Sequence, residues 1–155
     1  MSQAIHDRLK GLGIVLPQPV APVANYAPFV LSGAHLYISG QLPVKDGAMI
    51  KGMVDKNMTV LQAAEAAKWC AVGILAQANA ALKGDLSKII RCVKLNGFVA
   101  SAAEFADHPK VMNGASDLMV AALGDAGRHA RAAVGVSSLP FGVPVEVDAV
   151  FEVKP

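Results

Sequence analysis

Residues 57–84 constrain the fold more than any other stretch. Asn57-Met58-Thr59 opens the segment, Thr59 stands at the N-cap position, and Gln62 three residues later completes a capping box. Leu61, Ala64, Ala67, Ala71, Leu75, Ala78 and Leu82 recur at steps of three and four, and Gly84 closes the run. The spacing predicts one long amphipathic helix. Such a helix must lay its apolar stripe on another layer, so whatever flanks it has to supply a sheet or a second helix.

The flanks supply both. Phe29 to Leu31 and His35 to Ser39 predict two short strands around a Ser32-Gly33 turn, with Gly40-Gln41-Leu42-Pro43 breaking the second. Asp46-Gly47 is a hairpin-type turn. Leu86 to Val99 predicts a strand apolar on both faces, hence central in its sheet. Phe105 to Leu123 predicts a second helix, with Pro109 in its first turn and Gly124 after its end. Arg131 to Val136 and Val145 to Val153 predict the last strands. In the final one Val145, Val147, Ala149, Phe151 and Val153 share one face, and Glu146, Asp148 and Glu152 the other. The order implies an α+β fold: one mostly antiparallel sheet with both helices packed on one face.

Ahead of this body, Ser2 to Leu12 predicts a short helix from Ile5, Leu9 and Leu12. The proline-rich arm Leu16-Pro17-Gln18-Pro19-Val20-Ala21-Pro22 follows and is held extended by its prolines. The organisation expected is an N-terminal helix and arm over residues 1–19 and a single domain over 20–155.

Composition narrows the function classes. Only 17% of the 155 residues are charged and 54% are hydrophobic, against about 25% charged in an average domain. That leaves too little charge to cover the surface, so an oligomer is expected. The net charge of +2 is spread without a basic block, which disfavours a nucleic-acid partner. No 18-residue apolar run exists, so no membrane partner is expected. Residues 1–16 lack the apolar centre of a signal peptide, and Cys70 and Cys92 read as free thiols in a reducing compartment, so the expected location is cytoplasmic. No His or Cys grouping has metal-ligand spacing, so no metal is expected.

Arg131 is the best candidate for a substrate-binding group. It opens an otherwise apolar strand, where a lone charge costs free energy unless it meets an anion, and its planar fork suits a carboxylate. The alternative is a structural ion pair with Glu146 or Asp148 on a neighbouring strand. Glu146 is either a general acid/base that orients a water or part of a solvated strand face. Ser39 either lines a pocket or satisfies turn backbone. His129 lies two residues before Arg131, where it lines the same pocket or caps the preceding helix. Asn113-Gly114 is a poor helix interior, so Asn113 faces something polar or another backbone approaches Gly114. Tyr26 and Phe29 pack, or cover a substrate beside the arginine.

Six segments in order, Val23-Ala24-Asn25-Tyr26-Ala27-Pro28-Phe29, Ile38-Ser39-Gly40-Gln41-Leu42-Pro43, Gly84-Asp85-Leu86-Ser87, residues 93–99, residues 111–116 and His129-Ala130-Arg131-Ala132-Ala133-Val134-Gly135-Val136 with Leu139-Pro140, resemble the reactive intermediate deaminase (Rid, YjgF-type) family over residues 20–153. The resemblance implies a chorismate-mutase-like fold, a homotrimer with clefts between subunits, and cofactor-free hydrolysis of 2-imino and enamine acids to 2-keto acids and ammonia. It implies that Arg131 and Glu146 are catalytic and that Ser39, Asn113 and either Tyr26 or Phe29 bind substrate; His129 is a substrate-binding candidate only through its spacing from Arg131. Two positions depart from the best-studied branch: Ala133 stands where that branch has a cysteine, and Phe29 stands near its pocket tyrosine without the hydroxyl. The rival classes are a non-catalytic small-carboxylate or keto-acid binder and an RNA-directed endoribonuclease or translation inhibitor.

Overall fold

The computed structural model describes every residue except Met1, Val20 and Val23. Its elements are α1 (Ser2–Gly11), β1 (Phe29–Ser32), β2 (His35–Gln41), β3 (Val44–Lys45), β4 (Ala48–Met49), α2 (Val60–Ala81), β5 (Ile89–Ala100), α3 (His108–Leu123), β6 (Ala130–Val136) and β7 (Val145–Val153). The main sheet has the order β1-β2-β7-β5-β6. Its pairs are antiparallel except β5 with β6, which run parallel and are joined through α3. This is the expected α+β architecture.

Local chemistry explains the elements. The Thr59 hydroxyl accepts from the Gln62 N–H (3.2 Å) and the Gln62 side chain accepts from the Thr59 N–H (2.9 Å), closing the capping box of α2. Asp46 and Gly47 both take positive φ (51° and 77°), the pair that a tight turn between β3 and β4 requires. In β7 the five apolar residues are buried and the alternate residues half-buried, as the alternation predicts. Ile5, Leu9 and Ile14 belong to the same buried cluster as the sheet and helices. Among the described residues of the arm after Ile14 there is no helix or strand, and Val20 lies outside them.

Four elements differ in detail from the sequence expectation. Leu61 is 83% exposed, although it falls on the periodic stripe. It shares a helix face with Glu65 and Lys68, whereas the buried face of α2 runs through Ala63, Ala66, Ala67, Cys70, Ala71, Ile74 and Leu75. Leu86–Lys88 forms a 3-10 turn before β5, because the Asp85 carboxylate captures the Ser87 N–H (3.1 Å). The second helix begins at His108 rather than Phe105, with Pro109 at its first turn. β2 continues through Gly40 to Gln41 by a bulge at Ser39–Gly40 instead of breaking.

Two close approaches set α3 over the sheet. Gly114 lies against the backbone carbonyl of Ala64 in α2, where a Cβ would overlap that oxygen. Gly97 of β5 leaves space that the Met112 thioether fills. Together they fix the height and rotation of α3, and hence where Asn113 and Ser116 meet β6. The opposite sheet face carries Tyr37, Asn96, Phe98, Val134, Glu146, Asp148 and Glu152, none of which is fully buried.

Candidate functional site

Arg131 pairs in register with Leu95, a fully buried residue, so its side chain leaves β6 on the helix side of the sheet. There its Nη1 donates to Asn113 Oδ1 (2.9 Å) and to Ser116 Oγ (3.1 Å) of α3. The ion-pair alternative fails on topology: β5 stands between β6 and β7, and Glu146 and Asp148 point to the other face. Among the described residues Arg131 has no carboxylate within ion-pair distance. Its Nε and Nη2 make no hydrogen bond to a described residue, leaving donors of the fork for a ligand.

His129 joins the same cluster. Its Nε2 meets Ser116 Oγ (2.9 Å) and its Nδ1 meets the Gly127 carbonyl (2.6 Å). Burial holds its pKa below the ordinary histidine range; the Arg131 charge adds to that shift and the Gly127 bond opposes it. Both expectations for the 113–114 pair hold: Asn113 faces the guanidinium, and the Ala64 backbone approaches Gly114. Ser116 is the member that sequence reasoning missed. Its only signal is position, three residues after Asn113 on one helix face.

The remaining predicted residues gather elsewhere. Ser39 Oγ donates to the Ala27 carbonyl (2.6 Å) and its N–H to the Pro28 carbonyl (3.0 Å), so Ser39 latches the segment bearing Tyr26 and Phe29 onto β2. Phe29 is half-buried against the core and Tyr26 is 59% exposed. The Glu146 carboxylate lies where a Cβ on Gly40 would stand. Desolvation, with the nearby Asp148 charge second, raises the pKa of Glu146 above the ordinary carboxylate range. Asp148 itself accepts from Asn96 Nδ2 (2.7 Å). Three strand spacings separate β2 from β6, roughly 14 Å. One chain thus assembles an Arg131–Asn113–Ser116–His129 group at one sheet edge and a Ser39–Gly40–Glu146 group toward the other, and does not bring the two together.

Comparison with known proteins identifies the family. The profile of a family described as "YjgF/chorismate mutase-like, putative endoribonuclease" matches residues 6–148. The chain belongs to the YjgF/Rid family. Protein TCP17 of Trypanosoma cruzi is 48% identical over 155 residues, covering 99% of this chain and 96% of that one. The Agrobacterium tumefaciens protein Atu1372, whose crystal structure is described as of unknown function, is 54% identical with a TM-score of 0.94, covering 99% of this chain and 94% of its own. RidA from an Antarctic Psychrobacter is 28% identical with a TM-score of 0.60, covering 88% and 94%. The YjgF/Rid fold carries the sheet and both large helices. Cys70 and Cys92 are buried free thiols whose pKa values burial pushes up, Cys92 to about 12, so neither is set up as a nucleophile. Among the described residues no group of His, Cys, Asp and Glu could hold a metal ion, and no helix is long and apolar enough to cross a membrane.

Proposed function

We propose that this YjgF/Rid protein hydrolyses 2-imino acids to 2-keto acids and ammonia in clefts between the subunits of a homotrimer. The observation that carries the reading is the half-buried Arg131 guanidinium, fixed by two uncharged oxygens and matched to no acid among the described residues. That arrangement fits a ligand carboxylate, because the fork is oriented before the anion arrives. The second group, Ser39–Gly40–Glu146, completes the site when it comes from an adjacent copy. A sheet face left uncovered by helices and a charge-poor surface support that assembly.

The chemistry asks little of the protein. Arg131 binds the carboxylate of a protonated 2-imino acid and Glu146 accepts a proton from water as its oxygen bonds to C2. The carbinolamine then collapses: its nitrogen takes the proton back from Glu146, the C–N bond breaks with its electron pair leaving on ammonia, and the C2 hydroxyl passes its proton to that ammonia, giving ammonium and the ketone. Raising the Glu146 pKa brings its basicity closer to the working pH. Asn113 and Ser116 position Arg131, and His129 holds Ser116.

The test is to generate 2-iminobutyrate with an added dehydratase and follow 2-oxobutyrate release. The wild-type protein is expected to accelerate release, and Arg131→Ala to lose about ten- to a hundredfold of that, the worth of one charge-assisted contact. Thermal stabilisation by 2-oxobutyrate without imine turnover would instead make the protein a keto-acid binder. An RNA substrate, suggested by the family's description, is opposed by the dispersed Lys and Arg; steeply salt-dependent RNA affinity would restore it.

A further inference from the structure

Arg131, Ala133 and Gly135 pair with Leu95, Gly97 and Val99, so all three face the helix side of β6. They mark a line of about 13 Å along the strand. Arg131 stands at one end; Ala133, with only a methyl group, forms the middle. At the other end the absent side chain of Gly135 leaves room that the His108 imidazole occupies, its Nε2 lying where a Cβ would be. α3 runs back over this line, which is why Asn113 and Ser116 meet Arg131 while His108, its first residue, meets Gly135.

His108 is held in place. Its Nε2 lies 3.5 Å from Ser101 Oγ at the end of β5, and the Phe105 ring packs edge-on at 5.0 Å and 81°. Asp107 beside it is paired with Lys110 (3.5 Å), so that carboxylate is already matched. The imidazole is half-buried, and its Nδ1 has no hydrogen-bond partner among the described residues. A neutral imidazole offers one donor and one acceptor, and Ser101 adds a rotatable hydroxyl. An alkyl tail reaching this end would desolvate those groups without pairing them, whereas an amide, hydroxyl or carboxylate would satisfy them.

We propose that His108, backed by Ser101, determines specificity at the end of the site remote from Arg131, and that the substrates are 2-imino acids whose side chain ends in a hydrogen-bonding group. The inference rests on the hydrolase reading for the position of the carboxylate. It differs from it in naming what the other end of the substrate carries.

Calorimetric titration with stable keto-acid products tests it on the full-length protein. 2-Oxoglutaramate and 2-oxohexanoate have similar length and differ in the polarity of the tail. The wild type is expected to bind the amide roughly five- to tenfold more tightly, the worth of a buried hydrogen bond. His108→Leu is expected to bring the ratio to about one or reverse it, and His108→Gln to retain a preference for the amide. Equal affinities in the wild type, or a preference that survives His108→Leu, would overturn the proposal. Should His108→Leu fail to fold, Ser101→Ala carries the test: a smaller ratio supports the proposal and an unchanged one overturns it. Failure of the wild type to bind either compound or 2-oxobutyrate would overturn the function reading, and this inference with it.

Discussion

At the β6 edge a guanidinium is held by two uncharged oxygens; beside Gly40 a carboxylate is held near a second carboxylate. Among the described residues the first group has a cation without an acid partner and the second has acids without a cation partner, and the groups lie on different faces of one sheet. Each is costly alone, since partial burial weakens the hydration of a charge without replacing it. The two become complementary when a second copy brings its β6 edge to the first copy's β2–β7 region. A pair of half-sites, each carrying part of the electrostatic strain, is therefore the physical content of the proposed assembly.

The sharpest way to break that comparison is complementation. Arg131→Ala and Glu146→Gln should each lose about ten- to a hundredfold of imine turnover. Co-refolded mixtures should regain a measurable share, because some clefts then pair the intact Arg131 of one chain with the intact Glu146 of another. Mixtures no better than the sum of their parts would show that the halves do not meet. Gly40→Ala sharpens the same point: its Cβ would collide with the Glu146 carboxylate, so turnover should fall by about tenfold while binding of 2-oxobutyrate, carried by Arg131, falls less.

The smaller effects concern pH. Burial lowers the His129 pKa, so the unfolded chain takes up that proton first. The stabilising contribution is present above the ordinary histidine range and is lost as pH falls through it toward the folded value. Melting curves between about pH 7 and pH 5 should show a declining Tm, and His129→Gln should flatten part of that slope. Glu146 has the opposite sign. Its raised pKa means the folded chain holds the proton longer, so stability falls as pH rises through the carboxylate range. Glu146→Gln should lack that fall and melt slightly higher than the wild type at neutral pH; an unchanged or lower Tm would show that the carboxylate is not strained where it lies.

Much of the scaffold was legible because its signals are local. The capping box, the Asp46-Gly47 turn and the β7 alternation depend on neighbours within a few residues, and all appear as read. Leu61 shows the limit: a stripe of alanines and leucines at helical spacing leaves the exact buried face ambiguous by one residue, and packing on α3 and the sheet chose the face through Ala63, Cys70 and Ile74. The candidate residues could be named from the sequence, but not how they group. Arg131 meets Asn113, and His129 reaches them through Ser116, which stands there because the Gly97–Met112 and Gly114–Ala64 contacts set the roll of α3.

Sequence alone determined the elements, their order and which side of β7 is apolar, since these follow from periodicity and turn chemistry within short windows. It also determined which residues are charged and how few they are. Only the tertiary structure decided that β5 separates Arg131 from Glu146, because strand order is a property of long-range pairing that no local pattern encodes. The same long-range packing laid His108 over Gly135 and the Glu146 carboxylate against Gly40. Those contacts join residues far apart in the chain, and they exist only where a missing side chain lets two surfaces close.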